Sequence, residues 1–261
     1  MNPACGIVGA GPVGTLIALL LARRGRRVHL IERRPDPRHS PAEHGRSINL
    51  ALAARGIAAL EQAGLMARVQ PHMVPMPGRM LHEADGRQRF LRYSRNEGEV
   101  IHALSRERLN LELVEAAAAQ PGIELQFNSR CIGVDPATGT LQLQDERDGS
   151  VHASAFDLVL GADGAGSAVR GALLRRGLGA VREAPLAHDY KELVIPARAP
   201  ASAASIAPIA SARYVFEPHA LHIWPRGGYM LIALPNADGS FTATLFLPRH
   251  GDPGFDRLRD G

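Results

Sequence analysis

Near the start of the chain, Gly9-Ala10-Gly11-Pro12-Val13-Gly14 fits the spacing G-x-G-x-x-G, and Glu32 follows 18 residues after the last glycine. The turn lies between a stretch that reads as a strand and one that reads as a helix, the context in which such a turn holds the pyrophosphate of a dinucleotide. The first glycine permits the tight turn, the second lets the pyrophosphate approach the backbone, and the third lets helix and strand pack closely. The helix start adds unpaired N–H groups and a positive dipole end. A carboxylate at position 32 can accept hydrogen bonds from both hydroxyls of an adenosine ribose, which favours FAD or NAD over NADP. The pattern by itself leaves FAD and NAD open, and Arg34, two residues on, could lie beside the adenosine or be a solvated loop arginine.

Other chemistries lack their residues. Cys5 and Cys131 are the only cysteines, far apart and without metal-ligand spacing, so neither a disulfide framework nor a zinc site is indicated and a reducing compartment is the default. The eleven histidines form no H-E-x-x-H, and no G-x-S-x-G occurs. The formal charge is +4, and the basic residues fall in short groups such as Arg23, Arg24, Arg26 and Arg27, which solvate a helix end and build no stripe for nucleic acid. The apolar run Ala4–Ala22 is crowded with glycines in its first half and has no basic segment before it, so it reads as a buried strand, turn and helix and not as a membrane anchor. A cytoplasmic protein is expected, with a small-molecule substrate and neither nucleic acid nor membrane as partner.

The elements that must carry the turn follow from patterning. A strand is predicted over 4–9, a helix over 13–24 stopped by Gly25, a strand over 27–32, and an extended loop over 33–45 with Pro35, Pro37 and Pro41. A short helix over 52–63 ends at Gly64; a hairpin over 79–93 turns at Asp85-Gly86; a helix from Ser105 to Gln120 is stopped by Pro121-Gly122. A strand over 123–127 and a meander with turns near Gly139 and Gly149 lead to a strand over 157–161 and a second glycine-rich turn, Ala162–Ser167. Beyond Tyr190, strands over 190–195, 220–224, 229–234 and 241–247 predict an antiparallel sheet, reached through the Pro- and Ala-rich stretch 196–208.

Six motifs, in order, resemble those of the kynurenine 3-monooxygenase family of flavin-dependent aromatic hydroxylases. They are Gly45-Arg46-Ser47-Ile48-Asn49-Leu50-Ala51-Leu52, Leu104-Ser105-Arg106-Glu107-Arg108-Leu109-Asn110, the run from Asp157 through Asp163-Gly164 to Arg170, Tyr190–Pro196, Leu221–Arg226 and Met230–Asn236. The resemblance is collinear from residue 4 to about residue 250. It implies an α/β fold in which a Rossmann-like FAD-binding domain is interleaved with an antiparallel β-sheet substrate domain. The expected division is 1–72 and 98–178 for the first and 73–97 and 179–261 for the second. It also implies that family members continue well beyond Gly261, with a further Gly-Asp motif, a strand and C-terminal helices, so that a helix beginning near Phe255 would be cut short.

For the cofactor site the resemblance implies Gly9, Gly11, Gly14, Glu32 and Arg34, with Ala51 lying along the flavin through its backbone. Arg106 would be a fixed cation toward the flavin or its phosphates, and the backbone near Cys131 would approach the adenine end. Asp163 and Gly164 would meet the FAD pyrophosphate region and bear on NADPH use. For the substrate, Arg79 and Tyr93 would hold the carboxylate of L-kynurenine, and Leu221, Met230, Ile232 and Phe246 would line the slot for its ring. The implied reaction is NADPH- and O2-dependent hydroxylation to 3-hydroxykynurenine through a flavin C4a-hydroperoxide, with no catalytic side chain of the protein. Another aromatic acid as substrate, or an inactive FAD-binding fragment, are the alternatives. Two positions depart from the family: Asp189 and Gly166, the former expected in a turn where glycine is usual.

Overall fold

The computed structural model describes residues 4–39, 49–96, 98–199 and 213–258. Residues 45–48 of the first motif and 200–208 of the expected linker lie outside them. The chain divides into two compact units, one comprising 1–42, 58–69 and 108–183 and the other 43–57, 70–107 and 184–261. Among the described residues, no helix is long and apolar enough to cross a membrane.

The first unit is built on a four-stranded parallel sheet. Strands β1 (Ala4–Val8), β2 (Arg27–Ile31), β8 (Ile123–Gln126) and β12 (Leu158–Gly161) take the order β12-β1-β2-β8. Both faces of β1 are covered, which explains why this strand reads as a continuous apolar run without alternation. Cys5, Ile7, Val28 and Leu30 pack with Ala18 of helix α1 (Pro12–Ala22). Val8 and Ile31 face the other way, against Cys131, Leu141, Leu143 and Phe156. Those partners come from or adjoin the antiparallel meander β9 (Ser129–Asp135), β10 (Thr140–Asp145) and β11 (Val151–Ala155). Ile7, Leu30 and Ile31 are wholly buried, each worth about 1.5–3 kcal/mol of apolar transfer. Gly25 takes φ +76° just beyond α1, in the left-handed region where glycine ends a helix. The remaining helices of this unit include α3 (Met66–Val69), most of α4 (Arg106–Ala118) and α5 (Ala168–Arg175).

The second unit holds two sheets. Strands β5 (Gly78–His82), β6 (Gln88–Arg92), β13 (His188–Ile195), β14 (Leu221–Arg226), β15 (Tyr229–Pro235) and β16 (Phe241–Pro248) take the order β13-β16-β15-β14-β5-β6. The smaller sheet is β3 (Asn49–Leu52), β7 (Ile101–Ser105) and β4 (Val74–Met76), in the order β3-β7-β4. It packs Val74, Met76 and Ala103 onto Leu234, with Leu221 and Ile232 alongside. The opposite face of the large sheet buries Ala233, Phe241 and Ala243 beneath Tyr214, Phe216 and Trp224.

Several expectations are corrected here. The large sheet is not wholly antiparallel: the hairpin β5-β6 joins it through a parallel pairing of β5 with β14. The small sheet was not anticipated, because its strands have three to five residues and one holds Pro75, tolerated because β4 is an edge. Its strands lie in the second compact unit. The helix over 52–63 is shorter, α2 (Ala54–Gln62), and starts after β3. In place of a helix near Phe255 there is a single 3-10 turn, Phe255–Arg257. Asp189 does not occupy a turn: it pairs with Leu247 inside β13 and meets Arg249 at 3.0 Å.

Candidate functional site

The glycine turn joins β1 to α1 in the geometry the spacing requires. Gly9 has φ +105°, and a Cβ there would lie 2.5 Å from the Ala162 carbonyl oxygen. A Cβ on Gly14 would lie 1.9 Å from the carbonyl oxygen of Gly9. Gly11 differs: a Cβ there would meet nothing within 4 Å, and its φ of −73° suits any residue. The protein therefore needs glycine at 9 and 14 for its own packing, whereas at 11 the open space lies where a ligand would approach. Helix α1 has no side-chain cap and no acidic residue in its first turn, so no side chain of its own competes with an anion for its N-terminal N–H groups and dipole.

Glu32 stands at the end of β2, beside this turn. It is 7% exposed, and its carboxylate accepts from the Ala10 N–H at 2.9 Å and from the N–H and Nε of Arg34, each at 3.0 Å. Burial alone would raise its pKa, but the Arg34 side chain and the N–H groups of Arg34 and Ala10 outweigh it and hold the carboxyl below the usual range. The anion that a ribose would hydrogen-bond is thus present at neutral pH. Arg34 is committed to Glu32 at one end and half exposed.

The second glycine-rich turn lies next to the first because β12 and β1 are parallel neighbours, with Val8 opposite Gly161. Asp163 accepts from Ser167 Oγ at 2.6 Å and from the N–H of Ala168 at 2.6 Å, and Ser167 Oγ accepts in turn from the Arg170 N–H. Asp163 thereby holds the start of α5, while Gly164 at φ +79° turns the chain with open space around its Cα. Cys131 puts its side chain in the core, where its thiol reaches the Gly133 carbonyl at 3.4 Å and burial pushes its pKa up. It offers a ligand only its backbone.

Ala51 and Arg106 belong to the second unit, Ala51 opposite Ala103 in the small sheet and Arg106 exposed at the first position of α4. A contact that sequence reasoning missed fixes this region. Asn49 Nδ2 donates to Asn236 Oδ1 at 2.6 Å and to the Pro235 carbonyl at 3.2 Å, joining β3 to the end of β15. Both asparagines sit in motifs singled out above, but nothing in the motifs signals that they meet.

The expected substrate residues share one face of the six-stranded sheet. Leu221 lies opposite Arg79, Met230 opposite Phe246, and Ile232 two residues from Met230 on the same side. Tyr93 continues β6 past Arg92, its N–H donating to the Pro77 carbonyl at 3.0 Å, which places it on the Arg79 side of the hairpin. Burial raises the Tyr93 phenol and the nearby Arg79 guanidinium opposes it, so the phenol is a hydrogen-bond donor at neutral pH. Arg79, Tyr93 and Met230 are exposed, and Leu221, Ile232 and Phe246 are part-buried. A fixed cation, a phenol donor and apolar side chains on one sheet face can receive a molecule with a carboxylate at one end and a ring at the other.

A parallel sheet bearing two adjacent glycine-rich turns and a buried acidic strand end is the architecture of a dinucleotide-binding protein. The model of the FAD binding domain family matches residues 2–185, and the chain belongs to that family. Its relatives include proteins named kynurenine 3-monooxygenase. The one from Stenotrophomonas maltophilia is 48% identical over 255 residues, covering 98% of this chain and 53% of the relative. That from Myxococcus xanthus is 44% identical over 252 residues, covering 97% and 52%. The chain thus spans about half the length of these relatives. Among solved structures, the p-nitrophenol 4-monooxygenase PnpA from Pseudomonas putida shares the fold at a TM-score of 0.72 and 17% identity, over 95% of this chain and 58% of that one. PqsL from Pseudomonas aeruginosa, in complex with 2-aminobenzoylacetate, has a TM-score of 0.66 at 23% identity, over 95% and 62%. The fold is that of the flavin-dependent aromatic hydroxylases.

Proposed function

We propose that this chain is the FAD-binding and substrate-facing portion of a hydroxylase that converts L-kynurenine to 3-hydroxykynurenine with NADPH and O2. The observation that carries this reading is the single sheet face on which Arg79, Tyr93, Leu221, Met230, Ile232 and Phe246 stand together. FAD fits the residues present: Gly11 leaves a space that a Cβ would fill, and Glu32 is ionised beside the turn. The Gly9–Gly14 backbone and the start of α1 would hold its pyrophosphate, and Glu32 its ribose. When bound, FAD would supply the redox chemistry of the hydroxylation.

The side chains act on the substrate. Arg79 can grip both oxygens of the amino-acid carboxylate, and the protonated Tyr93 phenol donates a directed hydrogen bond to it. Leu221, Met230, Ile232 and Phe246 offer the aniline ring an apolar surface that excludes water from the reacting carbon. No proton relay through a protein side chain is needed; the protein's part is orientation.

The test is an FAD titration of the 261-residue chain followed by NADPH oxidation with and without L-kynurenine. The reading expects flavin binding and oxidation stimulated by kynurenine, with Arg79→Ala weakening kynurenine roughly 30-fold, the loss of a charge-assisted bidentate contact. Equal kynurenine affinity in wild type and R79A would sink the carboxylate assignment.

A further inference from the structure

The hairpin that carries Arg79 and Tyr93 hangs on the large sheet by one short junction. Only three residue pairs join β5 to β14: Arg79 with Leu221, Met80 with His222 and Leu81 with Ile223. They form the sheet's one parallel pairing, less stable per residue than its antiparallel ladders, and β6 beyond β5 is an edge. The place of Arg79 relative to Leu221, Met230 and Phe246 therefore depends on that junction. Pro225 has no N–H to extend it.

On the opposite face, side chains reinforce it. His82 Nε2 and His222 Nδ1 are 2.8 Å apart across β5 and β14, and His222 Nε2 lies 2.8 Å from the Glu217 carbonyl oxygen. A carbonyl only accepts, so His222 Nε2 carries hydrogen; in the neutral ring Nδ1 then accepts, and His82 Nε2 donates to it. The chain of donors thus runs one way, from His82 through His222 to Glu217. His82 also stacks on Trp224, with centroids 4.2 Å apart and planes 10° apart, and Arg226 donates to the His82 carbonyl at 2.9 Å. His82 is 7% exposed and His222 1%. Burial pushes both rings toward the neutral form, helped at His82 by His222 and Arg226, whereas at His222 the Glu217 carbonyl and carboxylate oppose it.

We propose that His82 and His222 are positioning residues for Arg79: their hydrogen bond locks the parallel junction, and so sets the guanidinium over the sheet face that meets a substrate carboxylate. The inference rests on the carboxylate role proposed above, and it separates a hydrogen-bonding function from mere aromatic packing. His82→Phe keeps a ring against Trp224 and removes the donor. His82→Gln keeps a donor near the place of Nε2 and removes the ring.

The experiment measures the affinity of the full chain for L-kynurenine and for kynurenamine, which lacks the carboxylate. H82F is expected to bind kynurenine roughly tenfold more weakly, the effect of one displaced hydrogen bond to a charged group, with kynurenamine unchanged. H82Q is expected to stay within about twofold of wild type for both. Equal loss for the two ligands, no loss in H82F, or H82Q as weak as H82F would overturn the proposal. If the wild type binds no kynurenine, the substrate reading fails, and a ligand-free measurement decides the inference. Carbon-13 NMR of labelled tyrosine, assigned with Tyr93→Phe, reads the distance of Arg79 through the Tyr93 titration. H82F should raise the Tyr93 pKa above wild type while H82Q leaves it in place; no change in H82F refutes the positioning role. Should H82F not fold, nitrogen-15 NMR of the wild-type histidines must show both rings neutral with hydrogen on Nε2, and any other tautomer pair refutes it.

Discussion

Replacing Gly11 and Gly14 separately with alanine divides what the turn needs for its own fold from what it needs for a ligand. At Gly14 the added Cβ would sit 1.9 Å from the Gly9 carbonyl oxygen, more than an ångström short of the 3.0 Å that real Cβ contacts respect. The obstacle is backbone and cannot rotate away, so G14A should cost about 2–4 kcal/mol and lower the melting temperature of the ligand-free chain by roughly 5–15 °C. At Gly11 the added Cβ meets nothing, and φ −73° with ψ 177° is open to alanine. G11A should leave the ligand-free melting temperature unchanged or raise it slightly, since alanine loses less chain entropy on folding, about 0.4–1 kcal/mol. Yet the methyl would stand where a pyrophosphate approaches, and a displacement that breaks even one phosphate contact costs tenfold or more, about 1.4 kcal/mol. Thermal melting without ligand and flavin-fluorescence titration with FAD separate the two effects. G11A that melts like wild type and binds FAD with wild-type affinity would refute the placement of the pyrophosphate at this turn. G11A that melts much lower would refute the open geometry at residue 11.

Other expectations follow from the same structure. Glu32 has a folded pKa below the 4.5 of a free glutamate, so its ionised form contributes stability that is fully present above that value and lost as the pH falls through the folded value. Urea unfolding should accordingly show Glu32→Gln less stable than wild type at pH 7, with the gap closing as the pH falls below the 4.5 of a free glutamate and through the lower folded value. Burial raises the pKa of both Cys5 and Cys131, so neither thiol should react with a disulfide reagent at pH 7 until the chain is unfolded; rapid reaction of a native thiol would contradict their place in the core. Asn49→Ala removes the amide donor shared by Asn236 Oδ1 and the Pro235 carbonyl, leaving Asn236 Oδ1 only the Thr242 hydroxyl at 3.5 Å, and should cost about 1–3 kcal/mol of stability and lower the urea midpoint, whereas an unchanged midpoint would show that the link between β3 and β15 carries no stability.

The turn and its acidic partner were legible because their requirements are local. A glycine at positive φ, a third glycine pressed against the first, and a carboxylate ending the next strand all lie within 24 residues, and each is dictated by backbone geometry that every chain shares. Hairpin β5-β6 announced itself through Asp85-Gly86, with Gly86 at φ +87°. The kinship with flavin hydroxylases was likewise visible in the order of the motifs.

What the residues alone did not disclose depends on pairings between distant segments. The strands Asn49–Leu52, Val74–Met76 and Ile101–Ser105 are too short and too weakly alternating to stand out, and they become a sheet only by meeting one another and the core around Leu234. His82 and His222 are 140 residues apart, and Asn49 and Asn236 are 187. No periodicity encodes that either pair will touch. Local composition determined that this chain could make a dinucleotide turn and an apolar strand set; only the tertiary fold decided that one sheet face would gather Arg79 and Tyr93 with four apolar side chains. The reason is that such a gathering is fixed by strand register and parallel or antiparallel direction, which burial of the whole sheet selects and no single segment specifies.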